Sequence, residues 1–157
     1  MAHWTMDLNK YADKQNIAIK DVQKAYTFAL YSSIVKKTPV DTGRARGNWQ
    51  VTVGRPATEA IEDKRKNPLP MSKMPVPKGD ESVFIANNLD YIEKLEYGTY
   101  PNPVQKGTWV KNENGKGGHY EKRSENGFSR QAPEGMVGVT LANNENIFNA
   151  AVRSVKK

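Results

Sequence analysis

The sequence predicts an α+β domain. Three observations predict it. Helical periodicity runs up to Pro39, a two-residue period follows Arg44, and a second helical period closes the chain. The 157 residues suit one domain spanning 1–157. The predicted outline is a long N-terminal helix, a small antiparallel sheet, a short helix and a C-terminal helix, with two long loops.

The first helix is predicted over residues 6–37, with a possible break near Gln15–Ile17. Ile19, Val22, Tyr26, Ala29 and Ser33 fall on one face. Thr5 or Asp7 suits its start, and Lys36 and Lys37 suit the negative end of its dipole. Pro39 ends it and moves Thr38 out of helical geometry.

From Arg44 the period becomes two. Ala45, Gly47, Trp49, Val51 and Val53 share one face, and Arg44, Arg46, Asn48, Gln50 and Thr52 the other. That pattern predicts a strand with one wet side. Residues 55–81 are rich in proline and charge and predict a long flexible loop. Residues 82–87 predict a second strand. In "NNLDYIEKLEYG", Leu89, Ile92 and Leu95 predict a short helix, with Gly98 where a C-terminal cap belongs.

Residues 100–130 predict a second long loop, with a β-hairpin around Glu113–Gly118. Trp109, Tyr120 and Phe128 are apolar anchors in this polar stretch and candidates for contact with another subunit. The alternative is that they fold back onto their own core. Residues 134–155 predict the closing helix. Val137, Leu141, Asn144, Phe148, Ala151 and Val155 lie on its face, and Pro133 suits its first turn. Gly135 and Gly138 weaken that start, so an extended first turn is the alternative.

Composition narrows the function. Hydrophobic residues make up 37% of the chain and mean hydropathy is -0.76, which predicts a small core with polar loops that order against partners. The net charge of +7 is spread over both halves and forms no single-sign arm. Without cysteine there is no disulfide and no thiolate zinc site. A histidine metal site would need both His3 and His119 plus carboxylates. No apolar run approaches the roughly 18 residues of a membrane span. The start "MAHWTMDLNK" lacks the basic and apolar segments of a signal peptide, so the chain is expected to stay where it is made.

Pro39-Val40-Asp41-Thr42-Gly43-Arg44 contains the Asp-Thr-Gly tripeptide of aspartic proteases. That chemistry needs two carboxylates sharing a proton in an apolar turn. Here a helix and Pro39 precede the tripeptide, and Arg44 and Arg46 follow it. Guanidinium groups favour the charged carboxylate and oppose proton sharing. The segment reads instead as a helix-to-strand corner, with an Asx-turn at Asp41 and positive φ available at Gly43. Asp90, Glu93 and Glu96 read as a solvated helix face. "GKGGH" at 115–119 opens no helix and lacks the Ser/Thr of a phosphate loop. No enzyme, cofactor or metal is expected.

"KKTPVDTGRARGNW" followed by "IANNLDYIEKLEYGT" resembles the tail-completion and neck proteins of long-tailed bacteriophages, and more distantly lambda's minor tail protein Z. The matching residues are Pro39 to Arg44, Arg46, Asn87, Tyr91, Glu96, Tyr97, Gly98 and Thr99. "SRQAPEGMVGVTL" at 129–141 is similar to the segment that leads into the family's last helix. The likeness covers roughly residues 20–155. Ala45 stands where the family usually has a larger aliphatic residue, and loop 100–130 is longer than in many members.

The resemblance implies a structural virion protein in a hexameric ring at the head-proximal end of the tail. Such a ring completes the tail and prepares it to join the head. Implied partners are further copies of the chain, a head-completion or stopper protein, and the tail terminator or tail tube. Genome DNA would pass through the ring without specific recognition, and Lys64, Arg65 and Lys66 are candidates to face it. No membrane partner is implied. Asp41, Thr42, Gly43, Arg44, Glu96, Tyr97, Gly98 and Thr99 read as fixing two corners of the fold, with an ion pair expected from Arg44 or Arg46 to Glu96. A tail terminator that sets tail length is the alternative role. A small basic nucleic-acid-binding module is a rival from another class, although no basic stripe with interleaved aromatics supports it.

Overall fold

The computed structural model describes residues 19–62, 68–78 and 81–155. Residues 6–18 of the expected first helix lie outside these, as do Lys64, Arg65 and Lys66. Helix α1 spans Ile19–Lys37. Its end is where Pro39 requires it, with the Thr38 N–H donating to the Ile34 carbonyl at 3.0 Å. The face it buries is broader than the predicted one. Val22, Ala25 and Tyr26 are buried in its first half, and Tyr31, Ile34 and Val35 in its second. The two halves serve two separate clusters, so one apolar stripe does not describe the helix.

Residues 44–47 depart from the predicted strand. Gly43 adopts φ 83°, and Arg44–Gly47 then forms one helical turn, α2. The Gly47 N–H donates to the Gly43 carbonyl at 2.9 Å. A left-handed residue at its start and a tertiary bond at Ala45, described below, hold this turn against the local alternation. The two-residue period takes over only at β1, Gln50–Val53. Strand β1 pairs antiparallel with β2, Val83–Ala86, in the register Gln50↔Ala86 to Val53↔Val83. Val51 and Ile85 are opposite partners, and both pack against the core.

The proline-rich stretch between β1 and β2 is tied down where it is described, contrary to the flexible excursion predicted. Met74 is buried, and Ala60 and Leu69 pack against the same cluster. The Leu69 N–H donates to the Tyr31 hydroxyl at 2.6 Å. Buried Asn48 fastens the segment's start, accepting from the Ile61 N–H at 2.6 Å and donating to the Ile61 carbonyl at 3.2 Å.

Helix α3 spans Ile92–Tyr97 and ends at Gly98, whose φ of 67° makes it the predicted cap. Two hairpins then follow. Strand β3, Thr108–Lys111, pairs with β4, Gly118–Glu121, and the short strand β5, Ser124–Glu125, pairs with β6, Phe128–Ser129. The first brackets the predicted Glu113–Gly118 turn.

The closing helix is two helices. Helix α4 spans Val137–Ala142 and α5 spans Asn144–Val155, with a turn at Asn143. Residues 134–136 are neither helical nor extended: they form a turn with Gly135 at φ 76°, and the helix begins only at Val137. The turn shifts the phase of the apolar face. Thr140 is fully buried, donating to the Met136 carbonyl at 2.7 Å and bonded to the Ser33 hydroxyl at 3.1 Å. Leu141, predicted inside, is 45% exposed.

The main core gathers Tyr31, Ile34, Val35, Ala45, Trp49, Met74, Leu89, Leu95, Ala132 and Met136. A second cluster joins α1 to α5 through Val22, Ala25, Tyr26, Phe148, Ala151 and Val152. There the Tyr26 and Phe148 rings meet edge to face at 5.3 Å, an arrangement favoured by the ring quadrupoles. The Tyr26 hydroxyl also donates to the Asn144 side-chain oxygen. Among the described residues no helix is long and apolar enough to cross a membrane.

Candidate functional site

Thr38 organises the Pro39–Arg44 corner from beneath. It is 1% exposed. Its hydroxyl donates to the Ile34 carbonyl at 2.8 Å and accepts from the Trp49 indole N–H at 2.8 Å. Arg46 lies across the end of α1 and donates to the Thr38 and Lys36 carbonyls at 3.0 and 3.3 Å. These are among the carbonyls a helix leaves unpaired, and a cation there also suits the dipole. Asn87 donates to the Ala45 carbonyl at 2.8 Å, joining β2 to α2. Gln131 brackets Val40, accepting from its N–H at 2.7 Å and donating to its carbonyl at 3.1 Å.

Asp41 does not make the expected Asx-turn among the described residues. Its carboxylate takes the Arg123 guanidinium at 2.9 Å, and its side chain is 75% exposed. The Thr42 hydroxyl instead accepts from the Arg44 N–H, at 3.4 Å.

Glu96 is not paired with Arg44 or Arg46. Its carboxylate accepts the backbone N–H groups of Met136, Val137 and Gly138 at 2.8, 2.9 and 2.8 Å. These donors belong to the first turn of α4, where no earlier carbonyl can reach them. A side chain from α3 therefore starts α4. Gly98 is needed for a close approach as well as for its φ. A Cβ there would stand 2.3 Å from the Phe128 ring. The Tyr100 N–H donates to the Gly127 carbonyl at 2.9 Å and fixes the same contact.

The three loop aromatics therefore divide. Phe128 is half-buried against its own chain at Gly98. Trp109 and Tyr120 are cross-strand partners on the β3–β4 hairpin, 51% and 52% exposed, with ring centroids 5.1 Å apart. Lys106 holds its ammonium 5.2 Å from the Tyr120 centroid, within cation–π range. Tyr97 is 70% exposed and Thr99 is also exposed.

A cleft of about 940 Å³ brings the sequence motif and the hairpin base together. Asp41, Thr42, Gly43 and Arg44 line it, with Tyr91 just before α3, Leu95 within it and Tyr100 beyond it. Burial pushes the Tyr91 hydroxyl above its usual pKa, while the Arg44 charge pulls it back and Asp41 adds to the rise. Burial likewise pushes Tyr100 up. Lys106, Lys122, Arg123 and Arg130 complete a cationic rim, and Glu121 lies among them. Sequence reasoning identified the Asp41–Arg44 part but missed the rim, because its lysines and arginines are scattered through a polar loop with no local pattern.

Among the described residues no group of three or more histidine, aspartate or glutamate side chains is placed to hold a metal. Residues 115–119 form the hairpin turn and the start of β4, a setting that opens no helix and so offers no phosphate-loop geometry. No protein-family model, curated protein or solved structure shows significant similarity to the chain.

Proposed function

We propose that this chain is a structural subunit of a long-tailed bacteriophage virion. In this reading it forms a ring at the head-proximal end of the tail and completes the tail for joining to the head. One observation carries the reading. Four of the motif residues that resemble neck proteins, Arg46, Asn87, Glu96 and Gly98, serve the framework, and the same chain displays the exposed Trp109–Tyr120 pair on a hairpin. Arg46 caps α1, Asn87 ties β2 to α2, and Glu96 starts α4. Residues used this way specify a shape, and the displayed aromatics supply contact area of the kind protein interfaces favour. A head-to-tail contact between identical subunits closes into a ring when the rotation permits.

The test is a phage carrying a stop codon in this gene, with the lysate imaged by negative-stain electron microscopy. Packed heads beside free tails of normal length are the expected result. Tails of unregulated length would assign the terminator role instead. Intact infectious particles would overturn the neck reading.

A further inference from the structure

We propose that the cleft beside the Pro39–Ala45 corner docks an extended acidic peptide segment of a protein partner. The first argument is charge. Of the cleft's two carboxylates, Asp41 and Glu121, both are engaged by Arg123, at 2.9 and 3.3 Å. Arg130 is directed to Glu125 at 3.6 Å. Arg44, Lys106 and Lys122 have no carboxylate within ion-pair distance among the described residues, Lys106 lying instead 5.2 Å from the Tyr120 ring centroid. Arg123 carries one charge against two carboxylates, but the lining as a whole sets Arg44, Lys106, Lys122, Arg123 and Arg130 against Asp41 and Glu121, a surplus of positive charge. Like charges lining one cleft repel one another, and a ligand of opposite sign relieves that repulsion.

The second argument is the apolar surface between the cations. Val40 is 39% exposed, and Tyr91, Tyr100 and Val104 are half-buried along the lining. A peptide alternating carboxylates with apolar side chains satisfies both features. The volume suits a few residues of extended chain, lying near the top of the range of about 300–1,000 Å³ for ligand pockets.

Nucleic acid fits less well. Single-strand grooves present open aromatic faces for stacking, whereas Tyr91 and Tyr100 are half-buried and Trp109 and Tyr120 meet each other edge to face. The inference rests on the cleft itself and not on the neck reading, so either can fail without the other.

Fluorescence anisotropy of the full chain with a labelled peptide of repeating Glu-Leu-Asp-Gly tests it. A Gln/Asn version of the peptide and labelled mixed-sequence single-stranded DNA serve as comparisons. Saturable binding of the acidic peptide is expected, weakened at least about tenfold by its neutral version and by the double variant K106E/K122E. Circular dichroism melts establish that the variant folds, and Arg44→Gln carries the test if it does not. Absence of saturable binding, or binding indifferent to these substitutions, would overturn the proposal. Tighter binding of the DNA, lost in the same variants and falling steeply with salt, would assign the cleft to nucleic acid instead.

Discussion

The Glu96 carboxylate accepts the Val137 N–H at 2.9 Å and the neighbouring Met136 and Gly138 N–H groups at 2.8 Å each. One side chain from α3 thus satisfies the first turn of α4, a helix with no hydrogen-bonding cap of its own at Met136. Charged acceptors form stronger hydrogen bonds than neutral ones.

Glu96→Ala is expected to destabilise the fold by about 1–3 kcal/mol, because it leaves these donors without their acceptor. Glu96→Gln should cost less, since its amide oxygen can still accept. At about 2–4 °C per kcal/mol for a domain of this size, both effects are readable in a thermal melt. A Glu96→Ala melting temperature equal to wild type would mean that water replaces the carboxylate without cost.

Gly98→Ala tests the second corner. The position combines φ 67° with a Cβ site 2.3 Å from the Phe128 ring. Backbone strain alone should cost about 1–3 kcal/mol in a urea titration, and the ring must also move. Repeating the substitution in a Phe128→Leu background should reduce the added cost, since the two residues are in contact. Strict additivity would show that strain, not crowding, accounts for the loss.

These corners show what a chain of this kind declares locally. Pro39 states the end of α1, and Gly98 states the end of α3, because each acts through its own backbone geometry. The α2 turn was hidden. Its residues alternate as a strand would, and the Asn87 bond to Ala45 comes from a distant part of the chain. The Glu96 partners were equally invisible, lying beyond two hairpins in sequence. Leu141, expected on the apolar face, is exposed and Thr140 beside it is buried, because the turn at Asn143 resets the helical phase, which periodicity read straight through residues 134–155 cannot register. Within the cleft, the Asp41–Arg44 segment was legible as a motif, while its cationic rim exists only once the hairpins fold.

Tyr26 gives the second cluster a dependence on alkaline pH. Burial pushes its hydroxyl from 10.0 up to about 12. Between those values the unfolded chain loses the phenolic proton and the folded chain keeps it, so the folded state binds more protons. Stability therefore falls as pH rises from about 10 to about 12. With allowance for solvent screening, the contribution is up to about 1 kcal/mol. Tyr26→Phe should show a shallower loss over this window in urea titrations at successive pH values. Parallel curves for the two proteins would remove Tyr26 as the cause.

Trp109 separates folding from assembly. It is half-exposed, and its ring partner Tyr120 is half-exposed too. Trp109→Ser should therefore cost little in a thermal melt, within about 1.5 kcal/mol for the lost ring pair. If the hairpin makes the contacts of a ring subunit, the same substitution should be severe in assembly, because interface energy concentrates in a few aromatic and arginine residues. Complementing the stop-codon phage with Trp109→Ser protein checks this. Folded protein that fails to restore infectious particles is the expected outcome. Full restoration would place the working contacts elsewhere on the surface and free the Trp109–Tyr120 pair of any part in assembly.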